Sequence, residues 1–178
     1  MKTKVTNANK TMMAALISVV AVAAAVALPQ ACHLLGRWLG IQSALGEMLL
    51  PMHLPVMLAG FFGGPVAGLV AGLTSPVISF GLTGMPASLM VPFMMIELAT
   101  YGLVAALLRK NSLPAVVKVL AVQVAGRAVR ALALVVAAYG LGMTTPPMAV
   151  IWTSISAGAV GILLQLALIP ALLRVVKK

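Results

Sequence analysis

Two arginines, Arg127 and Arg130, stand in a segment, 119–141, built almost wholly of Ala, Val and Leu. A guanidinium at hydrocarbon depth costs several kcal/mol by roughly any scale, so it faces a bundle interior or a water-filled cavity. Glu97, one of only two acidic residues in the chain, lies within the preceding apolar segment. Gln123, Arg127 and Arg130 recur at i, i+4 and i+7 and make one polar stripe of a helix. Met90, Met94, Glu97 and Tyr101 do the same on the segment before it. Glu97 and Arg127 fall at matching depths on helices running in opposite directions, which predicts an ion pair between them. Such a pair can border a site, or it can merely neutralise two charges and lock two helices. It leaves Arg130 without a partner in the sequence. A guanidinium fork meets a carboxylate or phosphate with two bonds, so Arg130 is the candidate contact for an anionic ligand.

Other reactive side chains are sparse. His33 follows Cys32, and His53 lies in Pro51-Met52-His53-Leu54-Pro55. These could bind a transition metal or supply an axial ligand to a metal macrocycle. Equally, each imidazole could be a hydrogen-bonded residue at a helix interface. The single cysteine excludes an internal disulfide and a cysteine-cluster metal site. Met90 and Met94 read as packing. There is no HExxH, no GxSxG, no phosphate-binding glycine loop and no Asp anywhere. The expectation is a non-enzyme without a cofactor, unable to hydrolyse ATP by itself.

The elements that must position these residues are membrane helices. The chain is 62% hydrophobic and 8% charged, against roughly 25% charged in soluble domains, with a mean hydropathy of +1.15. The expected fold is an all-α membrane protein, one domain over 1–178, surrounded by lipid. Its length suits about six spans of on the order of 20 residues, placed at about 11–28, 48–62, 66–80, 88–108, 114–141 and 148–173. The net charge of +10 is no nucleic-acid signature. Lys2, Lys4, Lys10, Arg109, Lys110, Lys118, Arg174, Lys177 and Lys178 cluster at span ends, as the positive-inside rule requires. With an even span count, they put both termini in the cytoplasm. The apolar run 12–28 could pass for a signal peptide, but it ends in Leu28-Pro29-Gln30 without a small-x-small cleavage site and is expected to be retained.

Between the spans, a first loop over 29–47 carries Cys32, His33, Arg37, Trp38, Gln42 and Glu47 and reads as a partly helical excursion. Gly63-Gly64-Pro65 is a tight break, with Pro65 suited to a first helical turn. Gly68 and Gly72 have the GxxxG spacing of close helix contacts. Loops are expected over 79–86, 109–112 and 142–147. No internal repeat is visible, which argues against repeat-built secondary transporters. A self-sufficient small transporter or channel, or a structural protein held by a Glu97–Arg127 pair, are the alternatives to a ligand-binding bundle.

Several segments resemble the substrate-specific S components of energy-coupling factor (ECF) vitamin transporters. Leu50-Pro51-Met52-His53-Leu54-Pro55-Val56-Met57-Leu58-Ala59-Gly60 is similar to their second helix. Gly64-Pro65-Val66-Ala67-Gly68-Leu69-Val70-Ala71-Gly72-Leu73, Ser75-Pro76 and Leu82-Thr83-Gly84-Met85-Pro86 follow in the same order. Glu97-Leu98-Ala99-Thr100-Tyr101-Gly102-Leu103-Val104-Ala105 resembles the fourth helix. The resemblance is strongest over 48–108. It implies a plasma-membrane protein that captures a micronutrient from outside and docks on a T subunit driven by two cytoplasmic ATPase subunits. Carried over, the outward pocket involves His33, Trp38, Phe80, Met85, Tyr101, Arg130 and Trp152, which join Arg127, Glu97 and His53 as the candidate substrate-binding set. Family docking uses an Ala-xxx-Ala face on helix one; the matching positions are Thr11 and Ala15, or Ala14 and Ser18. Relatives that take nickel or cobalt use a histidine next to the starting methionine, whereas this chain begins Met1-Lys2-Thr3. Candidate ligands are pantothenate, a cobamide or its precursor, a pyrimidine-type thiamin precursor, and haem.

Overall fold

The computed structural model describes residues 2–41, 44–143 and 149–176, with side chains over 9–41, 44–143 and 149–175. The Lys2 and Lys4 side chains, Gln42, the segment 144–147, Lys177 and Lys178 lie outside the described residues. Eight α-helices are present among the described residues: α1 (Lys2–Trp38), α2 (Ala44–Leu49), α3 (His53–Gly63), α4 (Pro65–Thr83), α5 (Val91–Leu108), α6 (Ala115–Val135), α7 (Val150–Ala157) and α8 (Ala159–Val176). A 3-10 turn, Ser88–Met90, leads into α5, and a π-helical turn, Val136–Gly140, ends α6. Among the described residues five helical segments are long and apolar enough to cross a membrane, and the bent α7–α8 pair makes a sixth if it counts as one span.

Helix ends follow glycine more than proline. The first helix was expected to stop at 28; α1 instead runs through Pro29 to Trp38. A proline removes one N–H, which an apolar helix tolerates when its other backbone groups stay paired. Gly40, at φ 73°, supplies the stop. Its N–H bonds the Arg37 carbonyl and that of Ile41 bonds Gly36, a Schellman closure. Likewise α4 passes the expected end at 80 and stops at Gly84, φ 72°, whose N–H bonds the Phe80 carbonyl. Pro65 opens α4 directly after Gly64, as its position implied.

At the centre of the bundle, α5 packs against α3, α4 and α6, while α1 covers α3 and α4. The α4–α5 seam is made backbone to backbone. A β-carbon at Gly68 would strike the Gly102 carbonyl, and one at Gly72 would strike the backbone of Leu98 and Ala99. The GxxxG spacing therefore marks a real contact. Val56, Met57, Leu98, Val119, Val122 and Ile169 fill the core around it.

The last crossing is not straight. α7 and α8 meet at a 54° bend at Gly158, against which the Leu50 side chain rests. Leu50 is itself a turning point between α2 and α3, with φ 49°. Gln165 of α8 donates to the Leu50 carbonyl at 3.2 Å and accepts from Gln123 of α6 at 3.1 Å. Two elbows thus seat on one another and are tied to α6.

Candidate functional site

At the end of the bundle where α1 and α4 finish and α3 and α5 begin, the helices part around a cavity of about 540 Å³. Its walls combine apolar surface with His33, His53, Met85, Met90, Met94 and Arg130. At its base lies a buried polar cluster. Glu97 has no exposed surface. Its Oε2 accepts from Arg130 Nη1 at 3.0 Å, and its Oε1 accepts from the Tyr101 hydroxyl at 3.0 Å. His53 Nε2 stands 3.8 Å from the same Oε1. The His53 and Tyr101 rings tilt by 54° with centroids 5.2 Å apart.

Local sequence explains these positions. Glu97 and Tyr101 lie one turn apart on α5, so the carboxylate and phenol share a face. Gly126 of α6 leaves the Tyr101 ring its place, since a β-carbon there would overlap it. Gly46 of α2 does the same for the His33 ring.

The pairing expected from the sequence is exchanged. Arg130, not Arg127, meets Glu97. Both arginines lie on the stripe, but the side chain one turn further along α6 reaches the carboxylate. Among the described residues Arg127 has no hydrogen-bond or ion-pair partner, and its Nε is buried and unsatisfied. The third member of the stripe, Gln123, joins Gln165 instead.

A second compartment of about 230 Å³ lies on the other side of this pair, between α6 and α7. Glu97, Arg127 and Arg130 line it, together with Trp152 and Ser154. Arg130 and Ser154 border both spaces. Among the described residues four buried side-chain atoms lack a partner: Gln30 Nε2 and His53 Nδ1, of residues lining the larger cavity, Arg127 Nε, of the smaller one, and Arg130 Nε, of a residue bordering both.

The structure therefore brings His33, His53, Met85 and Arg130 to one cavity, with Glu97 and Tyr101 beneath it and Arg127 and Trp152 in the adjoining compartment. It leaves Trp38, 84% exposed, and Phe80 outside both. Sequence reasoning missed Gln30, Ser79, Thr153 and Ser154, which line the larger cavity. Gln30 did carry a signal: an amide in the continuous helix beyond Pro29. Among the described residues no three His, Cys, Asp or Glu side chains gather as a metal site. On α1, Thr11 and Ala15 are exposed, whereas Ala14 packs on the core and Ser18 is buried, donating to the Ala14 carbonyl at 2.8 Å.

The model of one family, ECF transporter, substrate-specific component, matches residues 9–173. No curated protein and no solved structure matches the chain. The family match covers nearly the whole sequence, and a bundle of membrane-length helices around a cavity agrees with it. The chain belongs to the substrate-specific components of ECF transporters: it is a multi-pass plasma-membrane protein serving as the substrate-binding part of a transporter, not an enzyme.

Proposed function

We propose that this protein captures a vitamin or related organic micronutrient from outside the cell and hands it to a T subunit powered by two cytoplasmic ATPase subunits. The observation that carries this reading is the cavity of about 540 Å³ set over the buried Glu97–Arg130 pair. Its volume lies within the range of small-molecule sites, which combine apolar walls with a few placed polar groups. His33, His53, Met85 and Arg130 are the ligand-facing residues, and Glu97 with Tyr101 holds Arg130 in position. Both termini lie in the cytoplasm, because Lys10, Arg109, Lys110 and Arg174 stand at the end opposite the cavity.

On α1, the exposed Thr11–Ala15 register serves T-subunit docking, since a docking face must be accessible before assembly. The Ala14–Ser18 register is occupied by the protein's own packing.

Native mass spectrometry of the detergent-purified chain tests the capture reading. A stoichiometric organic molecule of vitamin size is expected. Vesicles holding this chain with T and ATPase subunits should take that molecule up only with ATP inside. Uptake by the chain alone, or no bound molecule under any growth condition, overturns the reading.

A further inference from the structure

The two arginines and one glutamate at the base of the cavity do not cancel. Glu97 bonds Arg130 and Tyr101, and its charge also reaches Arg127. One carboxylate nevertheless offsets only one of two guanidiniums, so one positive charge is left over and Arg127 is the arginine without a bond. That guanidinium lines the compartment of about 230 Å³, whose other walls are mainly Ala128, Ala131, Leu134, Ile151 and Ile155. The Ser154 hydroxyl donates to the Ile151 carbonyl at 3.1 Å, so it is already engaged. A half-buried guanidinium whose Nε is enclosed and unsatisfied among apolar neighbours is costly unless an anion joins it.

We infer that this compartment is a carboxylate site, in which Arg127 takes the acid group of a monoanionic ligand. The inference deepens the proposed capture function and rests on that reading. The charge count selects the class. One uncompensated positive charge at the base is balanced by a carboxylate, whereas a phosphate monoester near neutral pH carries close to two negative charges and would leave an excess in a site whose larger cavity is already lined by Glu47. Because Arg130 and Ser154 border both spaces, a ligand with its acid at Arg127 extends past them into the larger cavity. Its body there meets Met90, Met94 and His53. The compartment is flanked by Trp152, 74% exposed, so the same chemistry can be met by a water-soluble acid or by a fatty acid from the bilayer.

The test uses Trp152 as reporter in a Trp38→Phe background, since the chain has two tryptophans. The purified full chain is titrated with benzoate, palmitate and their neutral amides. Saturable emission changes with a carboxylate but not its amide are expected. Arg127→Gln should weaken them about tenfold or more, the scale of one charge-assisted contact. Benzoate binding assigns a soluble acid, and binding of palmitate alone assigns a lipid-derived one.

Ala131→Glu supplies an internal carboxylate one turn from Arg127. It should abolish carboxylate binding and raise Tm by about 0.5–2 °C. Equal responses to acid and amide, or undiminished carboxylate binding in the Ala131→Glu chain, overturn the inference. Native mass spectrometry of the same sample separates the two failures. A neutral or cationic co-purified molecule with inert carboxylates sinks the carboxylate site alone, and no bound molecule with inert carboxylates sinks the capture reading as well.

Discussion

The side-chain amide of Gln165 donates to the backbone carbonyl of Leu50 at 3.2 Å, across 115 residues of chain. Leu50 and its neighbours Pro51 and Met52 line the cavity, so one buried amide on α8 fixes the wall where α2 turns into α3. Gln165→Leu leaves that carbonyl and the Gln123 amide unpaired, at a cost of about 1–3 kcal/mol. Thermal melts should show the loss. The Gln123→Leu/Gln165→Leu double variant should be less destabilised than the sum of the singles, since the two share one bond.

Arg130 and Glu97 should behave as a unit. Removing the shared carboxylate, as in Glu97→Gln, strands Arg130 beside Arg127 with no counter-charge, at a cost of about 3–5 kcal/mol. The Glu97→Gln/Arg130→Gln double variant removes both charges and should recover a large part of that stability. A double-mutant cycle measured by thermal or denaturant melts in detergent reads the coupling directly, and strict additivity would show that the 3.0 Å contact carries none.

Glycines of α6 and α4 should respond to a methyl group in opposite ways. Gly126→Ala intrudes on the Tyr101 ring and should displace the hydroxyl from Glu97, costing about 1–3 kcal/mol by overpacking. At Gly81 nothing stands within 4 Å of the place a β-carbon would take. Gly81→Ala should be neutral or stabilise α4 by up to about 1 kcal/mol. Melting temperatures of the two variants side by side decide it.

Two bulky substitutions separate the docking registers. Ala15→Trp adds a ring to an exposed face of α1 and should leave the melting temperature unchanged while preventing co-purification with the T subunit. Ser18→Trp enters a buried position and should lower the melting temperature on its own. A normal complex from the Ala15→Trp chain would remove this face from docking.

Much of the fold was readable because lipid imposes a simple rule: apolar runs of sufficient length become helices. Gly64-Pro65 and the Gly68/Gly72 spacing then marked a break and a seam that the structure contains. Helix ends were less legible. Pro29 looked like a terminator, but a proline within an otherwise paired helix does not end it, and Gly40 does. For the site, composition singled out Glu97, Arg127 and Arg130. It could not say which arginine meets the carboxylate, because that turns on side-chain reach across two helices rather than on depth. Gly46 and Gly158 were invisible as positioning residues, since their neighbours, His33 and Leu50, are distant in sequence.

The break at Gly158 divides responsibility within the final crossing. α8 is anchored by Gln165 and Ile169, both buried, whereas α7 contributes no buried side chain although it borders both spaces. A segment with so little enclosed surface costs little to shift. On the proposed capture function, cargo of unequal length would be met by re-aiming those eight residues, while the rest of the scaffold keeps its shape.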